Sequence, residues 1–256
     1  MTLDEQIKTI RENMRGVILA GGTGTRLMPL TRTINKHLLP VNNKPMIEYP
    51  LQTLIDIGIK DILVVTGVDH FGMIAEHLRS GKDYDAEFTY KVQDKAGGIA
   101  EALSLAEDFS QEKKLAVILG DNIFGTNFKP EAIDFIQKNY GAMFFLKEVD
   151  DPERFGVATI DEANKKIVKI VEKPAQPESK LAVTGLYFYD NTVFDRIRPL
   201  QPSKRGELEI SHVNESYVKE GNIHHHILLN WFEAGTHEGR ENAEEHLRRY
   251  NNARKK

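Results

Sequence analysis

The chain has 256 residues, 40% of them hydrophobic and 28% charged, which is enough apolar material for a large core and for one big α/β domain as readily as two smaller ones. With 34 basic and 38 acidic residues its formal net charge is only -4, so no overall field marks it for nucleic acid or an anionic membrane, and any phosphate site must be local. It has no cysteine, which excludes a disulfide framework, thiolate zinc sites and thiol catalysis, and agrees with a reducing cytosol.

The opening residues Met1-Thr2-Leu3-Asp4-Glu5 are neither basic nor continuously apolar and do not read as a signal peptide. No apolar run approaches the roughly 20 residues of a membrane span, so a cytoplasmic protein is expected. Residues 3–12 have the spacing of a short polar helix with Leu3, Ile7 and Ile10 on one face. Met14 is a second candidate start, and residues 1–14 read as an N-terminal extension whose first 13 residues carry no site chemistry. Gly16-Val17-Ile18-Leu19-Ala20 is a short apolar run ending in glycines, the pattern of a buried strand feeding a tight loop. Similar runs follow at 62–66, 115–119 and 142–146. Between them Ile47, Leu51, Leu54 and Ile55, and later Ile99, Leu103, Leu105 and Ala106, keep helical spacing. Strand and helix therefore alternate, which predicts a mainly parallel sheet with helices on both faces, a three-layer Rossmann-like α/β arrangement.

Beyond Asp150 the rhythm changes. Shorter alternating strands at 157–160, 167–171 and 186–189 precede helices near 210–219 and 238–249, so this half is expected to be mixed. Residues 174–177 read as a loop, and no repeat, low-complexity tract or long linker divides the chain. One domain over 15–256 is expected, with lobes of about 15–125 and 126–256.

The strongest local signal is Leu19-Ala20-Gly21-Gly22-Thr23-Gly24-Thr25-Arg26-Leu27. Three glycines after a buried strand let backbone N–H groups wrap an anion, and Arg26 adds a fixed positive fork. The spacing fits neither a dinucleotide fingerprint nor a Walker loop, and such turns are often merely tight, so the spacing alone leaves phosphate binding open. Ten residues on stand Asn35-Lys36-His37-Leu38-Leu39-Pro40-Val41 and Lys44-Pro45-Met46. Further blocks are Val92-Gln93-Asp94-Lys95-Ala96-Gly97-Gly98-Ile99-Ala100, Leu119-Gly120-Asp121-Asn122 and Asp151-Pro152-Glu153-Arg154-Phe155-Gly156-Val157. Then come Glu172-Lys173-Pro174, Ala182-Val183-Thr184-Gly185-Leu186-Tyr187 and Arg205-Gly206-Glu207-Leu208-Glu209-Ile210.

In this order, from about Arg15 to His237, the blocks resemble those of the sugar nucleotidylyltransferases, especially short-form glucose-1-phosphate thymidylyltransferases. The resemblance implies nucleotide-binding and sugar-binding lobes, magnesium as cofactor, and dTTP and glucose 1-phosphate as partners. It also implies a homo-oligomer, dimer or tetramer, and a place in deoxysugar and surface polysaccharide biosynthesis. It makes Gly21, Gly22, Gly24, Thr25 and Arg26 the triphosphate cradle, with Lys36 as a second cation that helps offset charge on the departing pyrophosphate. Gln93, with one acceptor and a donor pair, and Gly98, which admits close backbone approach, would read a pyrimidine base. His37 and Asn122 fall in the nucleotide-binding set. Gly156, Glu172, Lys173, Val183 and Arg205 would hold the sugar phosphate, and Arg26, Lys36 and Lys173 would serve catalysis. Asp121, after a buried strand, matches the family's magnesium ligand. No covalent nucleophile is required, because an ionised sugar phosphate oxygen can attack the α-phosphorus directly.

Two departures stand out. His37 occupies a position where family members often carry glutamine, and Trp231-Phe232-Glu233-Ala234-Gly235-Thr236 places Glu233 where a second metal-binding aspartate is usual. Glu233 is still expected to share magnesium with Asp121; the alternative is that it pairs with a nearby cation. His224-His225-His226 are read as structural, since consecutive residues on a strand point to opposite faces. Two rival functions remain: a uridylyltransferase of the same fold, since Gln93 does not separate thymine from uracil, and a non-catalytic nucleotide-sugar sensor.

Overall fold

Thr2 opens the first helix by a reciprocal box: its hydroxyl accepts from the Glu5 amide while the Glu5 carboxylate accepts from the Thr2 amide. The helix, α1 (Leu3–Asn13), turns Ile10 fully into the core and runs directly into β1 (Met14–Ala20). The computed structural model describes residues 1–253, with side chains through Arg249, so the end of the expected domain at 254–256 lies outside the described residues.

After β1 and the glycine loop, a two-residue hairpin joins β2 (Pro40–Val41) to β3 (Lys44–Pro45) through Asn42 and Asn43, both at positive φ as such tight turns demand. Helix α2 (Glu48–Ile57) ends on Gly58 in the left-handed region, and β4 (Asp61–Gly67), α3 (Phe71–Leu78) and β5 (Glu87–Gln93) follow. Next come α4 (Ile99–Ser104), α5 (Glu107–Ser110), β6 (Lys114–Leu119), β7 (Asn122–Phe124), α6 (Lys129–Lys138) and β8 (Ala142–Glu148). The later half contains β9 (Gly156–Asp161), β10 (Lys166–Glu172), β11 (Leu181–Tyr189), α7 (Val193–Ile197), α8 (Ile210–Glu220), β12 (Ile223–Ile227), β13 (Trp231–Glu233) and α9 (His237–Ala253).

The main sheet has nine strands, seven of them in the order β10-β9-β11-β6-β1-β4-β5, with β8 and then β12 beside β11. β1 lies between β4 and β6, parallel to both, and β4 is parallel to β5. A strand covered on both edges and both faces reads as an unbroken apolar run, which is why Gly16 to Ala20 stood out. β11 is antiparallel to β6, β8 and β9, and β9 is antiparallel to β10, so the mixed character lies in the later half, as the sequence implies.

Side chains of β1 alternate between two cores. Val17 and Leu19 pack with Leu103 of α4, Phe194 of α7 and Val213 of α8. Ile18 and Ala20 pack with Leu51 and Leu54 of α2, Ile74 of α3 and Phe135 of α6. Helices thus cover both faces, giving the expected three layers. The histidines of β12 run parallel to β8; His224 stacks on Tyr140 and His226 on Phe145, with the His224 and His226 rings edge to face at 4.9 Å. No helix among the described residues is long and apolar enough to cross a membrane.

Candidate active site

Parallel strands with helices on both faces leave a crevice beyond their carboxyl ends, where the chain reverses direction in the sheet. Here β1, β5 and β6 deliver the glycine loop, Gln93 and Asp121 to one wall of a cleft of about 740 Å³, and the opposite wall comes from β9, β10, β11 and the start of α8.

Gly24 stands at φ +68, immediately before a single 3-10 turn, Thr25–Leu27, and its carbonyl accepts from the Leu27 amide and the Thr31 hydroxyl. A Cβ there would lie 2.8 Å from Thr31 Cγ2, so backbone conformation and space both require glycine. Gly24 shapes the loop from beneath, while Gly21, Gly22, Thr25 and Arg26 line the cleft.

Charged groups meet at the middle of the crevice. Lys36 Nζ lies 2.6 Å from Asp121 Oδ2, both side chains largely buried. Asn122 Nδ2 donates to Asp121 Oδ1 at 2.9 Å, while Asn122 Oδ1 accepts from the Gly185 amide and from Trp231 Nε1. Burial alone would raise the Asp121 carboxyl, but the ammonium of Lys36 and the hydrogen bonds from Lys36 and Asn122 outweigh it and hold the group well below the ordinary carboxylate range. Glu233 reaches the same place because β13 pairs with β7, Glu233 opposite Asn122. Arg26 lies 2.8 Å and Arg154 3.2 Å from its carboxylate oxygens. Burial and the neighbouring Asp121 carboxylate raise Glu233, against the opposing pull of Arg26, Lys36 and Arg154. A Cβ on Gly235 would collide with Glu233 Oε1 and stand 2.7 Å from Asp121 Oδ2, so the two carboxylates converge on one small volume.

At the far wall, Glu172 ends β10 opposite Gly156 of β9. Its carboxylate sits 3.6 Å from Lys173 Nζ and 3.5 Å from an Arg205 nitrogen. Lys173 adopts φ 40, an uncommon conformation for a non-glycine residue, held by its amide donating to the Phe155 carbonyl at 2.9 Å. Val183 and Tyr187 line this end; burial, then Glu172 and Asp121, push the Tyr187 phenol far upward, so it stays a hydrogen-bond donor.

All but two of the sequence-predicted residues line one cleft. Gly24 is the first exception. The second is His37, which is 1% exposed, with its ring against Gly120 and its Nδ1 2.9 Å from Asn35 Oδ1. Burial and then Lys36 lower its pKa from 6.5 to about 3, so it packs behind Gly120 as a neutral ring and does not line the cleft. The structure also adds residues that the sequence reading left unassigned: Arg154, Trp231, Asn214 and Ser211, the last with a buried hydroxyl that has no partner among the described residues. Arg154 pairs with its near neighbour Asp151, but Glu233, its other partner, is distant in the chain.

The chain matches the nucleotidyl transferase family over residues 15–249. A glucose-1-phosphate thymidylyltransferase of Neisseria meningitidis is 44% identical over 229 residues, covering 88% of this chain and 79% of its own length. A candidate glucose-1-phosphate thymidylyltransferase of Bacillus anthracis, solved in complex with a sucrose, superposes with a TM-score of 0.86 at 49% identity, covering 90% of this chain and 94% of its own. A UDP-glucose pyrophosphorylase solved with UDP-glucose shares the fold, with a TM-score of 0.80 at 23% identity over 93% of this chain and 99% of its own.

Proposed function

The chain belongs to the nucleotidyl transferase family, and within it we propose that it is a glucose-1-phosphate thymidylyltransferase, converting dTTP and glucose 1-phosphate to dTDP-glucose and pyrophosphate. One observation carries this reading: Arg26 and Lys36, paired with Glu233 and Asp121, stand at one wall of a single cleft, and Lys173 and Arg205 at the other. Two phosphate-bearing substrates can therefore be brought together end to end.

In this mechanism an ionised oxygen of the sugar phosphate attacks the α-phosphorus. The new P–O bond forms as the bond to the bridging β-oxygen breaks, and pyrophosphate leaves with that electron pair. The protein contributes position and charge. The loop amides of Gly21 and Gly22, with Arg26 and Lys36, receive the triphosphate and offset charge on the leaving group. Lys173, beside Glu172, and Arg205, which also pairs with Glu207 and Glu209, hold the sugar phosphate. Glu172 accepts from sugar hydroxyls, and the protonated Tyr187 lies beside it. Gln93 and Gly98 face the base; a Cβ on Gly98, at φ +100, would stand 2.5 Å from the Leu208 carbonyl, so only glycine lets this loop pack against residues 207–208. His37 packs behind the site, against Gly120.

The donor set of Asp121 and Glu233 fits magnesium: two carboxylates, hard oxygen ligands that converge on one small volume. Among the described residues no group of three or more acidic or histidine side chains is placed to hold a metal, and magnesium at phosphate sites uses only one or two carboxylates. Asp121 and Glu233 would hold the ion, which would supply positive charge to offset that of the reacting phosphates. A pyrophosphate-release assay with magnesium, run over dTTP, UTP, CTP and ATP against several sugar 1-phosphates, tests the reading. Release with dTTP and glucose 1-phosphate exceeding the other pairs supports it; a stronger UTP reaction assigns a uridylyltransferase, and nucleotide binding without release assigns a sensor.

A further inference from the structure

Gln93 closes β5 with an amide whose orientation is decided by its neighbours. The side chain is nearly buried, at 7% exposure, and its nitrogen donates to the Gly98 carbonyl at 3.2 Å and to the Glu101 carboxylate at 2.8 Å. Both partners are acceptors that offer no proton. Turned over, the amide would set its oxygen against two acceptors and leave its nitrogen without either, so the observed orientation is the one the surroundings permit. The oxygen is left toward the cleft, 3.1 Å from where a Cβ on Gly21 would stand, and it accepts no hydrogen bond among the described residues. Glu101 reaches this place from the first turn of α4, over Gly97, where a Cβ would collide with its carboxylate.

Resting on the reading of the cleft as a thymidylyltransferase site, we propose that Glu101 is a specificity-determining positioning residue. It holds the Gln93 amide so that an acceptor, and not a donor, meets the nucleotide base. A base must then bring an N–H to that point. Thymine and uracil do so at N3, whereas cytosine at N3 and adenine at N1 bring a lone pair, which would face the Gln93 oxygen unpaired. Selection against these bases is thus set by a residue that does not itself touch the nucleotide.

The test is calorimetric binding of dTTP, UTP and CTP with magnesium and no sugar phosphate, to the parent chain and to Glu101→Leu and Glu101→Gln. Leucine removes the acceptor, leaving only the Gly98 carbonyl to orient the amide, and the preference for dTTP over CTP should fall at least about fivefold, UTP following dTTP. Glutamine keeps an acceptor oxygen and should preserve at least about half of the preference. An unchanged dTTP-to-CTP ratio in the leucine variant, or equal weakening of all three nucleotides, overturns the proposal. Independently of any variant, the Gln93 side-chain amide protons in the parent should keep their NMR positions when dTTP binds, because Nε2 stays on Glu101 and Gly98; a large shift marking donation to the base overturns it too. Pyrophosphate release by the parent is scored separately, so a failed reaction assignment is told apart from a failed role for Glu101.

Discussion

At the residue scale the site is a set of groups held against their ordinary preferences, and two of them give measurable consequences. Burial, followed by Lys36, takes His37 from 6.5 down to about 3, so between those values the unfolded chain binds a proton that the native ring refuses. That stability is complete above about 6.5 and is lost as pH falls toward 3, the sign that linkage requires for a lowered folded pKa. Chemical denaturation across that interval should show the parent losing stability with acid more steeply than His37→Gln; parallel curves would acquit His37. Glu233 is the second case. Its carboxylate holds Arg26 and Arg154 and converges with Asp121, so the roles of metal ligand and cation partner are not geometrically exclusive. If it also serves the ion, Glu233→Gln should raise the magnesium concentration for half-maximal activity by about tenfold. A titration matching the parent's would leave Glu233 as a partner of the arginines alone.

Elements were legible in the sequence where their burial was complete and local. β1, β4, β6 and β8 showed as apolar runs because both faces are covered, whereas β5, Glu87–Gln93, carries partly exposed and polar positions that hide its strand character. The site was legible only in part: glycine spacing and charged blocks marked its residues, but Glu233 meets Asp121 through the pairing of β13 with β7, and Glu101 meets Gln93 by folding of α4 back over the loop. Such neighbours depend on tertiary register, which no local pattern carries. His37 misled for a related reason, since a motif position does not say which way its side chain turns. α1 shows the reverse separation, structure without chemistry. It buries Ile10 completely and its Arg11 donates to the Gly58 carbonyl, yet it enters the amino end of β1 while the cleft lies at the carboxyl end. A chain starting at Met14 should lose about 2–5 kcal/mol of stability, the cost of emptying such a core position. Turnover below the melting range should stay within about threefold of the parent; a folded but inactive truncation would show that α1 contributes to the site.

For the whole molecule, the consequence of the fold is that one cleft has walls from both halves of the chain, with cations on each. In the proposed arrangement a ligand that spans the cleft would engage both walls, whereas a nucleoside triphosphate would engage chiefly the wall of Arg26 and Lys36, and glucose 1-phosphate the wall of Lys173 and Arg205. Binding to the native state alone raises stability by RT ln(1 + [L]/Kd), about 2.7 kcal/mol at a hundred times Kd, and for a chain of this size that corresponds to a midpoint rise on the order of 5–10 °C. The two walls can therefore be read separately by thermal shift with magnesium present. Arg26→Ala should shrink the rise given by dTTP and leave most of that given by glucose 1-phosphate, while Lys173→Ala should do the opposite. Each variant should also lower turnover at least about a hundredfold, because each removes a cation facing charge that the reacting phosphates carry into the transition state. The crossed pattern is the informative part, since general damage to the fold would diminish both shifts together. If both variants weaken both ligands equally, the two ends of the cleft are not distinct subsites, and the end-to-end arrangement of substrates on which the transfer depends is wrong.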